Sequence, residues 1–387
     1  MVYLDHAAST PMRPEAIEAM QPYLAEVYAN PSGSHAAARA AKSALEAARE
    51  QVALLLGAAP SEIVFTGGGS EGDNLAVKGA AWAARERGDA DGVVVAGIEH
   101  KAVLGAAARL GHEGFRVAQV GAGLDGTVDL GALEGALDSR TAVISVMTVN
   151  NETGVRQPLD EVARLMGERA PRALLHTDAV QAPQWLDIAA VASCAHLVAI
   201  SGPKFGGPKG VGALVRRGGC ELVPLIEGGG HESGLRAGTQ NVAGIVALAA
   251  ALSVTHERRG EETARIAALR DKLEAGLLSS VPDTSVNGDT DLRVEGLSHL
   301  AFAGVEAETL LVLLDEQGVC AASGSACSSG AIDPSHVLVA MGMPRDRALG
   351  SIRLSLGYAS TEADVDRALD VIPAAVARLR SASRRSS

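Results

Sequence analysis

Apolar positions in this chain recur with two different periods. Near the start they fall at helical spacing, predicting helices from about Pro14 to Ala29 and from His35 to Leu56, both rich in Ala, Glu and Arg. Short apolar runs of strand length then alternate with Ala-rich helical stretches. The runs are EIVFT (Glu62–Thr66), VVVA (Val93–Ala96), AVISVM (Ala142–Met147), ALLHTD (Ala173–Asp178), LVAIS (Leu197–Ser201) and GALVR (Gly212–Arg216). This alternation predicts an α/β fold, with helices on both faces of a central, mostly parallel sheet. A long helical stretch from about Asn241 to Leu278 leads to a second unit. That unit contains LSHLAFAG (Leu297–Gly304), a helix over Glu308–Gln317, RLSLG (Arg353–Gly357) and a terminal helix. The expected division is a large domain over 15–260 and a smaller α+β domain built from 1–14 and 261–387. The closing SASRRSS reads as disordered.

A length of 387 residues suits two domains better than one. Hydrophobic residues make up 47% of the chain and aromatics only 3%, so Ala, Val, Leu and Ile must build the core. Forty-four glycines imply many tight turns and close backbone approaches. A formal charge of −12 argues against direct nucleic-acid binding, which needs a concentrated basic surface. The opening MVYLDHAASTP has neither a basic lead nor an apolar signal core, and no apolar stretch is long enough to span a membrane. Cys194, Cys220, Cys320 and Cys327 form no CxxC pair and no Cys/His ligand cluster, so no metal site is expected. Reduced thiols in a cytoplasmic protein fit this pattern.

Three segments carry candidate chemistry. TGGGSEGDN (Thr66–Asn74) follows an expected strand and opens an expected helix, where free N–H groups and close backbone approach suit an anion. It lacks the Lys-Ser/Thr of a Walker loop, and alone it is equally a flexible turn. HTDAVQ (His176–Gln181) puts Asp178 at a strand's carboxyl end, where α/β ligand sites lie. That carboxylate could pair with a protonated ring nitrogen, or simply cap the next helix. SGPKFGGPKG (Ser201–Gly210) sets Lys204 in a Gly/Pro-rich loop after another strand. A desolvated lysine there can form a Schiff base with an aldehyde, whereas turn lysines at the surface are commoner.

Taken in this order, the three resemble the fold-type I pyridoxal-phosphate enzymes. More narrowly, the chain resembles the class V aminotransferase group and, within it, the cysteine desulfurases of the NifS/IscS type. The likeness runs from YLDHAASTP (Tyr3–Pro11) to RLSLGYASTE (Arg353–Glu362), through NPSGSH (Asn30–His35), EHKAVL (Glu99–Leu104), NNETG (Asn150–Gly154) and GGGHESGLRAGTQNV (Gly228–Val242). It implies pyridoxal 5'-phosphate held by Lys204, with Asp178 on the pyridinium nitrogen keeping the ring an electron sink. His100 would stack on the ring and share acid–base work, with Gln181 and Asn151 near the ring oxygen and the substrate. Gly69, Ser70 and Ser201 would hold the phosphate, with Thr239 reaching over from the second subunit of a homodimer. Arg353 would clamp the substrate carboxylate. Four positions depart from the family pattern. Pro203 stands where a phosphate-binding His is common, and a proline has no N–H to offer. Gly67 and Gly69 replace Ser and Ala, an apparent loosening of the backbone, and Ser233 replaces a frequent Arg.

ASGSACSSG (Ala322–Gly330) is rich in Gly and Ser and resembles the signature of the long-loop desulfurases, with Cys327 at the nucleophile position. A free Cys is ordinarily a small buried hydrophobe, the reading taken for Cys194, Cys220 and Cys320. For Cys327, motif and composition favour a reactive thiolate. The implied activity converts L-cysteine to L-alanine with a persulfide on Cys327, His100 accepting a proton. The sulfur then goes to an acceptor protein serving iron–sulfur cluster assembly, tRNA thiolation or DNA phosphorothioation. The rival readings are a selenocysteine lyase or class V aminotransferase, and a non-catalytic scaffold that has lost the cofactor.

Overall fold

The computed structural model describes residues 1–88, 90–324 and 333–386, the last four of these by backbone alone. In chain order the strands are β1 (Val2–Tyr3), β2 (Ile63–Thr66), β3 (Gly92–Ala96), β4 (Arg116–Val120), β5 (Thr141–Ser145), β6 (Leu174–Asp178), β7 (Leu197–Ser201) and β8 (Gly212–Arg216). They continue with β9 (Thr284–Val286), β10 (Leu297–Phe302), β11 (Val319–Cys320) and β12 (Ser351–Ser355). Seven of them form one sheet in the order β2-β8-β7-β6-β5-β3-β4. All neighbours from β7 to β4 run parallel, while β8 is antiparallel to both β7 and β2.

Burial explains why these runs are strands. Every residue of β2, β3, β5 and β7 is buried, as expected where helices cover both faces of a parallel sheet. β4 differs: RVAQV lies at the sheet edge with mostly exposed side chains, and its mixed polarity gave no apolar run to notice. The expected helix over Pro14–Ala29 is two shorter ones, Pro14–Met20 and Pro22–Ala25. Pro22 has no N–H to continue the first helix, so the chain restarts there.

Beyond the sheet, one helix of 39 residues (Val242–Ser280) passes through residue 260 without a break. Asn241 caps it, its side chain accepting the Gly244 N–H at 3.0 Å. A second, antiparallel sheet orders as β12-β10-β9, and β1 pairs in parallel with β11. The first residues thus join the last third of the chain. The final helix runs from Glu362 to Ser386, so the backbone of the SASRRSS tail is helical through Ser386. This corrects the disorder expected there. Extending a helix already nucleated by packed turns costs little, even over polar residues. Among the described residues no helix is long and apolar enough to cross a membrane.

Candidate active site

Five strands send their carboxyl ends to the same place. β2 leads into Gly69 and Ser70, β3 into His100, and β5 into Asn151; β6 ends on Asp178, and β7 ends on Ser201 and turns into Lys204. All of these residues, with Gln181 and Arg353, line one cavity of about 330 Å³. This is the edge of the sheet where α/β proteins bind ligands. A larger surface groove of about 670 Å³ lies beside Ile63, at the opposite end of β2, and contains none of these residues.

At one end of the cavity Gly68 adopts φ +144°, and the helix Gly69–Glu86 begins with N–H groups that no helical carbonyl can use. A Cβ on Gly69 would stand 2.6 Å from Val180 Cγ2. Glycine here is therefore a packing requirement set by Val180, rather than a loosened backbone. Gly67 donates its N–H to Glu71 Oε2 at 2.8 Å, and a Cβ there would meet that same oxygen at 2.7 Å.

Asp178 accepts the Val180 N–H at 2.9 Å and is otherwise sealed from water. Burial, reinforced by neighbouring Asp73, pushes its carboxyl up to about 7. Asp73 is itself pushed up to about 8 by burial. His176 Nε2 lies 3.5 Å from Asp73 Oδ1, but burial lowers the imidazole to about 4, so the two meet as neutral groups rather than as an ion pair. Burial, then Asp178 and Asp73, hold Glu99 well above the usual carboxylate range. Ligating atoms of Asp73, His100 and Asp178 all fall within 4.8 Å of one another.

His100 opens to solvent and caps the helix Lys101–His112, its Nδ1 accepting the Ala102 N–H at 3.1 Å. Burial of the ring lowers its pKa, and Lys204 and His336 add to that against the pull of Asp178. A neutral ring with Nδ1 engaged carries its proton on Nε2. Lys204 Nζ donates to the carbonyls of Ala8 (2.6 Å) and Ala7 (3.1 Å), and Gln181 Nε2 donates to Ala7 at 2.8 Å. Thr10 N–H bonds the carbonyl of Pro203 at 2.8 Å, so the N-terminal segment backs the lysine turn. Arg353 on β12 donates to Asp5 Oδ1 (2.6 Å) and to the Asn151 carbonyl (2.8 Å). Each Nη nitrogen keeps a second hydrogen for a two-point carboxylate contact.

Three observations match these residues to a phosphorylated, cationic aromatic ring. Asp178 buries a carboxyl group at the cavity, Asn151 Oδ1 is buried without a hydrogen-bond partner among the described residues, and a helix start opens at Gly68–Ser70. The sequence model of the class-V aminotransferases matches residues 2–368. The chain belongs to the class-V aminotransferase family. Within this family it is 45% identical to an IscS-like cysteine desulfurase of Mycobacterium tuberculosis, covering 99% of this chain and 98% of the relative. A solved NifS-like protein superposes with a TM-score of 0.91 at 35% identity, covering 97% of this chain and 99% of that one. A structure titled SspA in complex with cysteine gives 0.80 at 34% identity, covering 93% and 100%. The chain is thus a class-V aminotransferase of the cysteine desulfurase group.

One expected site residue among the described residues is not in the cavity wall. Thr239 is exposed and does not line the cavity. Cys327 lies outside the described residues. Cys194, Cys220 and Cys320 are free and only partly buried, not the fully buried hydrophobes expected of them, and burial raises the first two thiols. Several residues were not singled out by the sequence: Asp73 and His336 at the cavity, His176 against Asp73, and the Arg49–Glu232 pair away from it. Glu232 and Ser233 take left-handed φ values of 48° and 57°. Arg49 Nη1 and Nη2 bond Glu232 at 2.9 and 2.8 Å, and Glu232 also accepts the Phe65 N–H of β2 at 2.9 Å. The segment carrying Thr239 is anchored to the sheet in this way. Nothing in the structure explains Ser233 in place of Arg.

Proposed function

We propose that this chain is a pyridoxal-phosphate-dependent cysteine desulfurase that makes L-alanine from L-cysteine and collects the sulfur on Cys327. The observation that carries the reading is the convergence of Lys204, Asp178 and Arg353 on one cavity in a chain of this family. Lys204 would hold the cofactor's aldehyde, and Asp178 its ring nitrogen. The Gly69–Ser70 helix start and the Ser201 hydroxyl would hold its phosphate, joined by Thr239 of a second copy in a homodimer. Bound there, pyridoxal phosphate supplies an electron sink for negative charge developing at the substrate α-carbon.

The protein's own groups do the rest. Arg353 fixes the substrate carboxylate while Asp5 and the Asn151 carbonyl hold the guanidinium in place. Lys204, once displaced by the substrate amine, takes the α-proton and later returns it; the Ala7 and Ala8 carbonyls keep its nitrogen nearby. The thiolate of Cys327 attacks the substrate sulfur. One S–S bond forms, the Cβ–S bond breaks, and its electron pair stays on carbon. Cβ is reduced and the Cys327 sulfur oxidised, so no outside electron carrier is needed. The proton lost by Cys327 matches the one gained at Cβ, and His100 would share in that transfer. The outer sulfur then passes to an acceptor protein, for iron–sulfur clusters, tRNA thiolation or DNA phosphorothioation.

Intact-mass measurement after mixing with L-cysteine alone should show one added sulfur per chain and equimolar alanine. Cys327→Ser should form neither the adduct nor alanine at the wild-type rate. Persistent sulfur loading in that variant would refute the assignment, and a keto-acid product would indicate transamination instead.

A further inference from the structure

The turn that offers Asn151 to the cavity continues into Glu152, a residue with no part in the chemistry above. Asn150 Oδ1 accepts the N–H groups of Glu152 (3.0 Å) and Thr153 (2.9 Å), which fixes the turn. Glu152 is fully buried. Its carboxyl group touches the chain at two points, one on either side of residues 325–332. Before them is Gly324, at φ +74°, where a Cβ would lie only 2.5 Å from Oε2 and 2.6 Å from Cδ of Glu152. After them is Ser335, whose Oγ donates to the same Oε2 at 2.5 Å. Ser335 Oγ also accepts the Val337 N–H at 3.1 Å and so caps the helix His336–Ala340.

A third link closes the arrangement. Ala322, two residues before Gly324, exchanges backbone hydrogen bonds with Arg353, at 3.3 Å from its N–H and 2.6 Å to its carbonyl. Arg353 in turn bonds the carbonyl of Asn151. Burying a carboxyl group is costly, and an apolar side chain would fill the space without that cost. What the carboxyl adds is a hydrogen bond to Ser335 and a close fit against a glycine that has no side chain.

We propose that Glu152 is a positioning residue, pinning Gly324 and Ser335 to the turn that presents Asn151, so that the substrate side and the sulfur-accepting side share one rigid support. The proposal rests on the reading of Cys327 as sulfur acceptor. It assigns Glu152 to sulfur transfer and not to cofactor or cysteine binding.

Cofactor-loaded variants separate these roles. Glu152→Ala removes both contacts, Ser335→Ala removes the hydrogen bond from the other side, and Glu152→Gln keeps an acceptor oxygen and the volume. In a single turnover with cysteine, Glu152→Ala and Ser335→Ala should form the persulfide on the order of 10- to 100-fold more slowly, the scale of a misplaced reacting group. Cofactor content, the spectral change on mixing with cysteine and the KM for cysteine should stay at wild-type values. Glu152→Gln should restore most of the rate. A wild-type persulfide rate in Glu152→Ala would overturn the proposal. So would a parallel loss of cofactor or of cysteine affinity in both Glu152→Ala and Ser335→Ala, or a Glu152→Gln variant as slow as Glu152→Ala. Cys327→Ser, run alongside, tells the two failures apart. If it still loads sulfur, the acceptor assignment falls; if it does not while Glu152→Ala loads normally, only the role of Glu152 falls.

Discussion

At Asp178 the fold buries a carboxyl group beside a second one and leaves it about three pH units from its ordinary range. Unfolded, this group ionises near 3.8; in the folded protein without cofactor it holds its proton to about 7. Between those values the folded chain keeps a proton that the unfolded chain has released. Its contribution therefore erodes stability as pH rises, and the penalty is complete above about 7. Asp178→Asn keeps the oxygen that accepts the Val180 N–H but cannot ionise. The cofactor-free variant should be more stable than cofactor-free wild type by roughly 4 kcal/mol at about pH 8, and nearly equal to it at about pH 3. Urea unfolding at the two pH values measures this, and the same variant should lose cofactor on dialysis. That Asp178 ends a strand was legible in the sequence. The carboxyl behind it was not, because Asp73 sits on a helix more than a hundred residues earlier and only the fold brings them together.

Single elements repeat the lesson. β7 was visible as LVAIS because both of its faces are covered and every position is apolar. β4 was not, since an edge strand needs no apolar run, and the break at Pro22 was hidden by helical spacing on either side of it. The segment from Gly228 to Val242 was recognisable as a motif, but what anchors it was not. Arg49 and Glu232 are buried partners 183 residues apart. Removing Glu232 leaves the buried Arg49 with only the more exposed Glu46 as ion partner, so Glu232→Ala should destabilise the protein by up to about 3–5 kcal/mol. Arg49→Ala should cost a similar amount, and the double variant much less than the sum. Denaturant melts of all three complete the cycle, and simple additivity would mean the pair is not coupled.

For the molecule as a whole, Thr239 poses the main question, being exposed and absent from the cavity wall of its own chain. If it serves the cavity of a second copy, two crippled variants should rescue each other. Lys204→Ala and Thr239→Ala should each have little activity alone. Unfolded and refolded together, they should form mixed dimers in which one site has both residues, with activity returning toward about a quarter of wild type for random pairing. No recovery would place Thr239 outside the partner's site. The seven-stranded sheet was foreseeable from its runs of Val and Ile. The contribution of the first residues to its active site was less so. Lys204 leans on Ala7 and Ala8, Pro203 on Thr10, and β1 on β11. In protein engineering these residues are a working component rather than a free end. Affinity tags, fusions and trimming are better directed elsewhere, because losing the first ten residues removes the carbonyls on which Lys204 rests.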